Sequence, residues 1–393
     1  MTKQARIRQT ILDIPASRIR AVYNAGHRIE GMIPLWAGEG DEPTPDFIRD
    51  AAAAALARGE TYYTPNRGIL PLREAIRDYL KRAYRVDTPL DRIVATASGM
   101  SALMITLQCL LEKGDSAAVI GPIWPNGCEA IRALGAEVRD VYLQQSEDGR
   151  WVLDLQRLFD ACDETTRLIM LNSPGNPTGW VASEAELRAI LDFARARGIW
   201  LLSDEVYGRI VYGEARAPGR NHAPSYYTLA EPDDAVVIVN SFSKSWSMTG
   251  WRLGWVVTRP DLADAIEKMT EFNVSCSNAF AQWGAVTALN EGDAYVDGLV
   301  ERYSRAADLV YQALAPLPRV RLGKPQGAFY AFFALDGLQD SLQFCLDLLP
   351  KAKVGLAPGV AFGPAGEGRI RLCYAASLPK LSQALERLVP HLK

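Results

Sequence analysis

Seven short apolar runs set the strongest limit on what this chain can fold into. They read RIVATAS (92–98), SAAVIGP (116–122), AEVRDVYL (136–143), RLIMLNSP (167–174), WLLSDEVY (200–207), AVVIVNSF (235–242) and RLGWVVT (252–258). In several of them apolar residues follow one another instead of alternating with polar ones. A strand with one wet face alternates, whereas an unbroken run fits a strand buried on both faces. Amphipathic segments separate many of the runs. One of these, SEAELRAILDFARARG, opens with Ser183 and Glu186 at the spacing of a capping box. Strands and helices in alternation predict an α/β domain with a mostly parallel seven-stranded sheet flanked by helices.

Past about residue 290 the texture changes. AYVDGLVERYSRAADLVYQALAPL predicts one long helix, and VRLGKPQGAFYAFFAL a strand pair. RIRLCYA and LPKLSQALERLVPHL then predict a last strand and a closing helix. The expected division is a large α/β domain at 48–290 and a smaller α+β domain at 291–393, joined by the N-terminal segment 1–47. No repeat, low-complexity tract or polar linker interrupts the chain, which predicts that the domains pack closely.

Composition narrows the function. A net charge of −3 supplies no basic field for nucleic acid or an anionic membrane. No apolar run reaches the roughly 18 residues of a membrane span. The opening, MTKQARIRQTILDIP, lacks the apolar core and cleavage site of a signal peptide, so a cytoplasmic protein is expected. The six cysteines are scattered without a CxxC pair, and the three histidines sit apart from any carboxylate or cysteine cluster. A zinc site and a Ser-His-Asp triad therefore lack their raw material.

Polar residues fall where α/β sheets bind ligands, just past the carboxyl ends of strands. Gly99, Met100 and Ser101 follow the first run, at a turn into a helix whose free N–H groups could hold a phosphate; an ordinary strand-to-helix turn would look the same. Asn172 and Asn176 lie in NSPGNPTG, a loop fixed by prolines and glycines. Asp204 ends the WLLSD run, with Tyr207 three residues on and no neighbouring cation to pair with it. Next comes SFSKSWSMTGWR, carrying Ser241, Ser243, Lys244 and Arg252. Serines here could simply cap a helix.

One ligand accounts for these residues jointly. Pyridoxal 5′-phosphate needs a lysine for its aldehyde and a carboxylate for its pyridine nitrogen, which Lys244 and Asp204 supply. Asn176 and Tyr207 are neutral donors for its phenolic oxygen. The Gly99–Ser101 turn, Ser241 and Arg252 suit its phosphate, and Trp124 in GPIWPN can cover one face of its ring.

With these motifs the chain resembles the class I/II, aspartate aminotransferase-like enzymes of pyridoxal-phosphate fold type I. The likeness runs from LWAGEGDEPTP to GEGRIRLCYA and rests on Asn176-Pro177-Thr178-Gly179, Asp204-x-x-Tyr207 and Ser241-x-Ser243-Lys244 with Arg252. It implies that Lys244 forms the Schiff base, Asp204 pairs with the ring nitrogen, Asn176 and Tyr207 serve the phenolate, and Trp124 stacks. It further implies that Arg371 clamps the substrate α-carboxylate beside the backbone of Gly38. Tyr63, in TYYTPNRG, would reach the phosphate of a neighbouring subunit, so a homodimer with shared sites is expected.

The implied activity moves an amino group from an L-amino acid to a 2-oxo acid. Acid-specific relatives carry a basic residue either near Asn273 or in the phosphate turn, where this chain has Met100. No basic residue lies between Phe272 and Phe280. The side-chain specificity is therefore expected not to be strictly dicarboxylic. Trp36 would narrow the pocket or stack on a substrate. Two rival readings use the same cofactor residues: another reaction on this scaffold, such as a C–S β-lyase or decarboxylase, and a non-catalytic sensing module.

Overall fold

A computed structural model describes residues 5–393; the first four residues of the N-terminal segment lie outside it. Each of the seven runs contributes one strand to a single sheet, in the order Ile93–Thr96, Gly254–Val257, Val236–Ser241, Trp200–Asp204, Thr166–Asn172, Ser116–Gly121, Glu137–Tyr142. Only Gly254–Val257 runs against its neighbours, pairing Gly254 with Ser241 on one side and with Thr96 on the other. The other strands lie parallel, in register through pairs such as Asn172 with Asp204.

The unbroken apolar runs resolve into two alternating sets. Ile93, Ala95, Ile169, Leu171, Leu201 and Ile238 point into one core. Val94, Leu168, Met170, Leu202, Val237 and Val239 point into another, under the helices Gly99–Leu110, Asn126–Leu134 and Pro260–Asn273. Burial on both faces is why polar residues are excluded along the strands and collect at their ends. The capping box forms as the sequence predicts. Ser183 Oγ accepts the Glu186 N–H, Glu186 reaches back to the Ser183 N–H, and Gly198 ends the helix in the left-handed region.

The long helix spans Asp293–Leu314. After it, Val320–Arg321, Tyr330–Leu335, Arg369–Cys373 and Ala357–Pro358 build a four-stranded antiparallel sheet in that order. Ile33–Pro34 pairs in parallel with Val354–Gly355, and the helix Arg18–Gly26 packs on the helix Ser341–Ala352. Trp36, read from sequence as narrowing the pocket, lines the cavity between the domains while most of its ring is packed in the core. A Cβ on Gly355 would stand 1.8 Å from its ring, so only glycine lets the two segments close. A short pair, Gln144–Gln145 with Trp151–Val152, was not foreshadowed by any apolar run.

Candidate active site

The backward strand gathers the site. Its first residues lie at the edge where the parallel strands end, so Arg252 arrives beside Ser241, Asp204 and the Gly99 turn. Gly254 makes this possible. A Cβ there would stand 2.8 Å from the Gly99 nitrogen and 2.7 Å from the Asn240 carbonyl. The result is a cavity of about 660 Å³ that is lined by every residue the sequence singled out for cofactor or substrate, except Ser101 and Tyr63.

At its floor, Asp204 stands at a strand end held by Asn172. The Asn172 Nδ2 donates to the Asp204 carbonyl at 2.9 Å, and its Oδ1 accepts the Asn176 N–H at 2.8 Å. One Asp204 carboxylate oxygen accepts the Val206 N–H at 3.2 Å. Burial pushes this carboxyl up to about 6, opposed by the Val206 N–H and the Lys244 charge. An acid in that state favours a cationic N–H donor.

Lys244 lies in the short helix Phe242–Ser245, where Ser241 Oγ accepts the Ser243 N–H at 3.1 Å and sits 2.8 Å from Ser243 Oγ. Its ammonium donates to the Gly38 carbonyl. Burial brings the amine down to about 8, with Arg371 and Arg252 adding smaller repulsions against the pull of Cys373 and Glu39.

Arg371 is 2% exposed, and its two hydrogen bonds go to neutral acceptors, Asn176 Oδ1 at 3.2 Å and the Trp36 carbonyl. Its Nε has no partner. The backbone oxygen beside Arg371 is thus that of Trp36, while the Gly38 carbonyl serves Lys244. A buried guanidinium left without a carboxylate is costly, and an incoming carboxylate relieves it.

The phosphate side is built from the helix Gly99–Leu110. Ser98 Oγ accepts the Ser101 N–H at 2.9 Å, and the first-turn amides of Gly99 and Met100 have no acceptor within the helix. Ser101 Oγ is buried without a partner. Arg252 takes a left-handed backbone (φ 53°) and donates to the Thr249 carbonyl at 2.6 Å, with its side chain reaching the cavity. Unpaired donors at one end and an unpaired acid at the other fit pyridoxal phosphate in donor type and charge. Trp124 lines the wall, tied by its N–H to the Asn176 carbonyl at 2.9 Å.

Tyr63 is 89% exposed and lies outside this cavity. Its neighbour Thr64 is fastened to the 276–282 stretch, its N–H to Cys276 Sγ and its hydroxyl to Gln282 Nε2 at 3.0 Å. Sequence reasoning missed Tyr330. This buried phenol meets the Tyr207 hydroxyl at 2.7 Å and lies under the Arg371 guanidinium, 4.7 Å from its carbon. A Cβ on Gly38 would stand 2.3 Å from the Tyr330 oxygen, so Gly38 is where the backbone must pass close. The AFYAFF run hides that hydroxyl among apolar neighbours.

The family described as Aminotransferase class I and II matches residues 30–388. The chain is 32% identical to an aspartate aminotransferase of Pyrococcus horikoshii, over 97% of this chain and 96% of that one. It is 33% identical to aromatic-amino-acid aminotransferase 2 of Thermococcus litoralis, covering 96% of each. The solved aspartate aminotransferase of Thermotoga maritima superposes with a TM-score of 0.90 at 33% identity, over 98% of this chain and 100% of that one. A likeness of this length agrees with the cavity's own chemistry: the chain belongs to the class I and II aminotransferases, enzymes that transfer amino groups with pyridoxal phosphate.

Proposed function

We propose that this aminotransferase uses Lys244 as its proton carrier, Asp204 as the partner of the cofactor's ring nitrogen and Arg371 as the clamp on the substrate α-carboxylate. The observation that carries the reading is the convergence on one cavity of these three charged groups, each hydrogen-bonded only to neutral partners. Bound pyridoxal phosphate supplies an aldehyde carbon for the substrate nitrogen and a ring that accepts the electron pair left when the α-proton departs. Lys244 Nζ, an amine of lowered basicity, takes that proton from the substrate α-carbon and returns one to the α-carbon of the acceptor. Burial weakens the acidity of Asp204, so a cation beside it stabilises its charge, which fixes the ring's orientation. Asn176 and Tyr207 serve the phenolic oxygen. Gly99, Met100, Ser101, Ser241 and Arg252 hold the phosphate, and Trp124 covers the ring.

Both substrates carry an α-carboxylate, because the Arg371 fork matches one in two parallel hydrogen bonds. Lyase, decarboxylase and sensing readings are disfavoured, since the relatives compared above are named aminotransferases. The test is single-turnover incubation of the holoenzyme with an amino acid. The cofactor's absorbance should shift to that of its aminated form as one equivalent of oxo acid appears. Release of ammonia instead would overturn the reading.

The assigned division is 48–290 as the large domain, with segment 1–47 and residues 291–393 forming the small one. The Ile33–Val354 pairing supports it. Work in the cytoplasm is supported by six free cysteines. A homodimer is supported by an apolar surface that includes Tyr62 (84% exposed), Tyr63 (89%) and Phe272 (79%). In it Tyr63 would complete the partner's phosphate site. Tyr63→Ala and Lys244→Ala proteins, each weak alone, should regain activity on subunit exchange, because one site of each mixed dimer carries neither lesion. Random exchange predicts about a quarter of wild-type activity. Verified exchange without recovery would remove the trans role of Tyr63.

A further inference from the structure

The turn that delivers Arg252 is strained and lies outside the strands of the sheet. Ser247 and Arg252 both take a left-handed backbone at φ 53°, which residues other than glycine adopt at a cost. Between them is the single turn Thr249–Trp251, closed by the Trp251 N–H to the Met248 carbonyl at 3.2 Å. The Arg252 guanidinium donates to the Thr249 carbonyl of that same turn at 2.6 Å. Its direction therefore follows the direction of the turn. The sheet fixes where Ser241 and Gly254 lie, but not how the turn between them faces.

A side chain from outside the loop does that. Thr44 lies in Pro43-Thr44-Pro45 and is buried. A residue before proline is confined to extended backbone, so this threonine stands on a stiff piece of chain. Its Oγ1 donates to the Ser247 carbonyl at 2.6 Å and accepts the Trp251 indole N–H at 2.8 Å. One hydroxyl, able to donate and accept at a single atom, thus ties the start of the strained turn to the residue before Arg252. Both partners are braced from behind. Ser247 Oγ meets the Tyr295 hydroxyl at 2.7 Å. A Cβ on Gly284 would stand 2.7 Å from the Trp251 ring, so that ring is seated on the helix Ala279–Glu291. The Glu39 carboxylate adds a further tie by accepting the Thr249 hydroxyl at 3.2 Å.

We propose that Thr44 is a positioning residue that aims Arg252 at the cofactor phosphate by bracing the turn 247–252. The proposal rests on the assignment of Arg252 to that phosphate. Thr44 is not among the residues lining the cavity, so it acts only through the turn. Thr44→Val keeps the shape of the side chain and removes the hydroxyl, which leaves the Ser247 carbonyl and the Trp251 N–H without this partner. Thr44→Ser keeps the hydroxyl.

The test uses two aldehydes that differ by the phosphate group. Pyridoxal phosphate engages Lys244 and the phosphate site, whereas pyridoxal engages Lys244 without it. Capture of each by full-length apoprotein is measured at equilibrium from the cofactor's absorbance, and the ratio of the two affinities reports the phosphate contacts. Thr44→Val should lower the preference for pyridoxal phosphate by about tenfold, the loss of one hydrogen bond to a charged group. Thr44→Ser should stay within about threefold of wild type, because the donor and acceptor remain. If Thr44→Val does not fold, Trp251→Phe removes the indole donor and should lower the preference by about threefold. An unchanged preference in the folded variant, equal weakening of both aldehydes, or a serine loss as large as the valine loss would overturn the proposal and leave Lys244 and Arg252 in their roles. A wild-type apoprotein with no preference for pyridoxal phosphate would sink the phosphate role of Arg252, and that of Thr44 with it.

Discussion

Lys244→Ala should lower transamination by about 10⁴-fold, the upper range for removing a positioned acid–base group, and leave no protein amine to tether the cofactor. The fold should survive, because the side chain contributes one hydrogen bond, to the Gly38 carbonyl, at the edge of a cavity rather than in a core. Borohydride reduction of wild type followed by peptide mapping should place the label on Lys244, and the variant should remain unlabelled. A label on another lysine would sink the assignment. The lowered basicity adds a pH signature. Only the neutral amine attacks an aldehyde, and burial sets the free amine near 8. Cofactor capture by the apoprotein should therefore accelerate as pH rises toward about 8 and level off above it. An amine of ordinary basicity would still be accelerating at pH 9.

Asp204→Ala removes the only carboxylate that meets the ring nitrogen in this reading. Breaking one partner out of a buried charge pair costs about 3–5 kcal/mol, which corresponds to a fall of roughly 10²–10⁴-fold in half-reaction rate. The measurement is stopped-flow absorbance with a good amino donor at saturating cofactor. A fall of less than tenfold would refute the role. The sign of the pH effect follows from the raised acid. Below about 6 the free carboxyl is protonated and offers no charge to a ring cation; above 6 it does. Cofactor affinity of the wild-type apoprotein should weaken as pH drops through that value, and the alanine variant should lack the dependence.

Much of this architecture was legible in the sequence because burial on both faces leaves an unmistakable pattern. All seven strands of the main sheet fall inside the runs read as strands, save that one begins a residue early, at Thr166. The polar residues at their ends were legible for the complementary reason: Asp204 and Lys244 interrupt apolar surroundings that nothing local explains. Direction was not legible. The run containing Gly254–Val257 reads the same for a parallel or an antiparallel strand, yet its reversal brings Arg252 to the site. Two-residue strands such as Val354–Gly355 are too short to show a period. Tyr330 escaped notice because its ring satisfies an apolar pattern while its hydroxyl does the polar work. Trp36 does line the cavity, as the sequence suggested, but that Gly26 and Gly355 make room for most of its ring in the core was not legible.

The backward strand also fixes how the site can tolerate change. Ser241 and Gly254 are register partners, so residues 242–253 form a loop clamped at both ends to one edge of a rigid sheet. Lys244 and Arg252 hang from that single loop like the two jaws of a caliper. Loops elsewhere on the surface absorb an inserted or deleted residue by bulging outward. Here a deletion has no slack to draw on, and sliding the strand by one residue would turn Trp255 and Val257 from one core to the other. Substitutions can reshape the walls of this cavity, but the distance between its amine and its guanidinium can be altered only by a change that the whole sheet must accept.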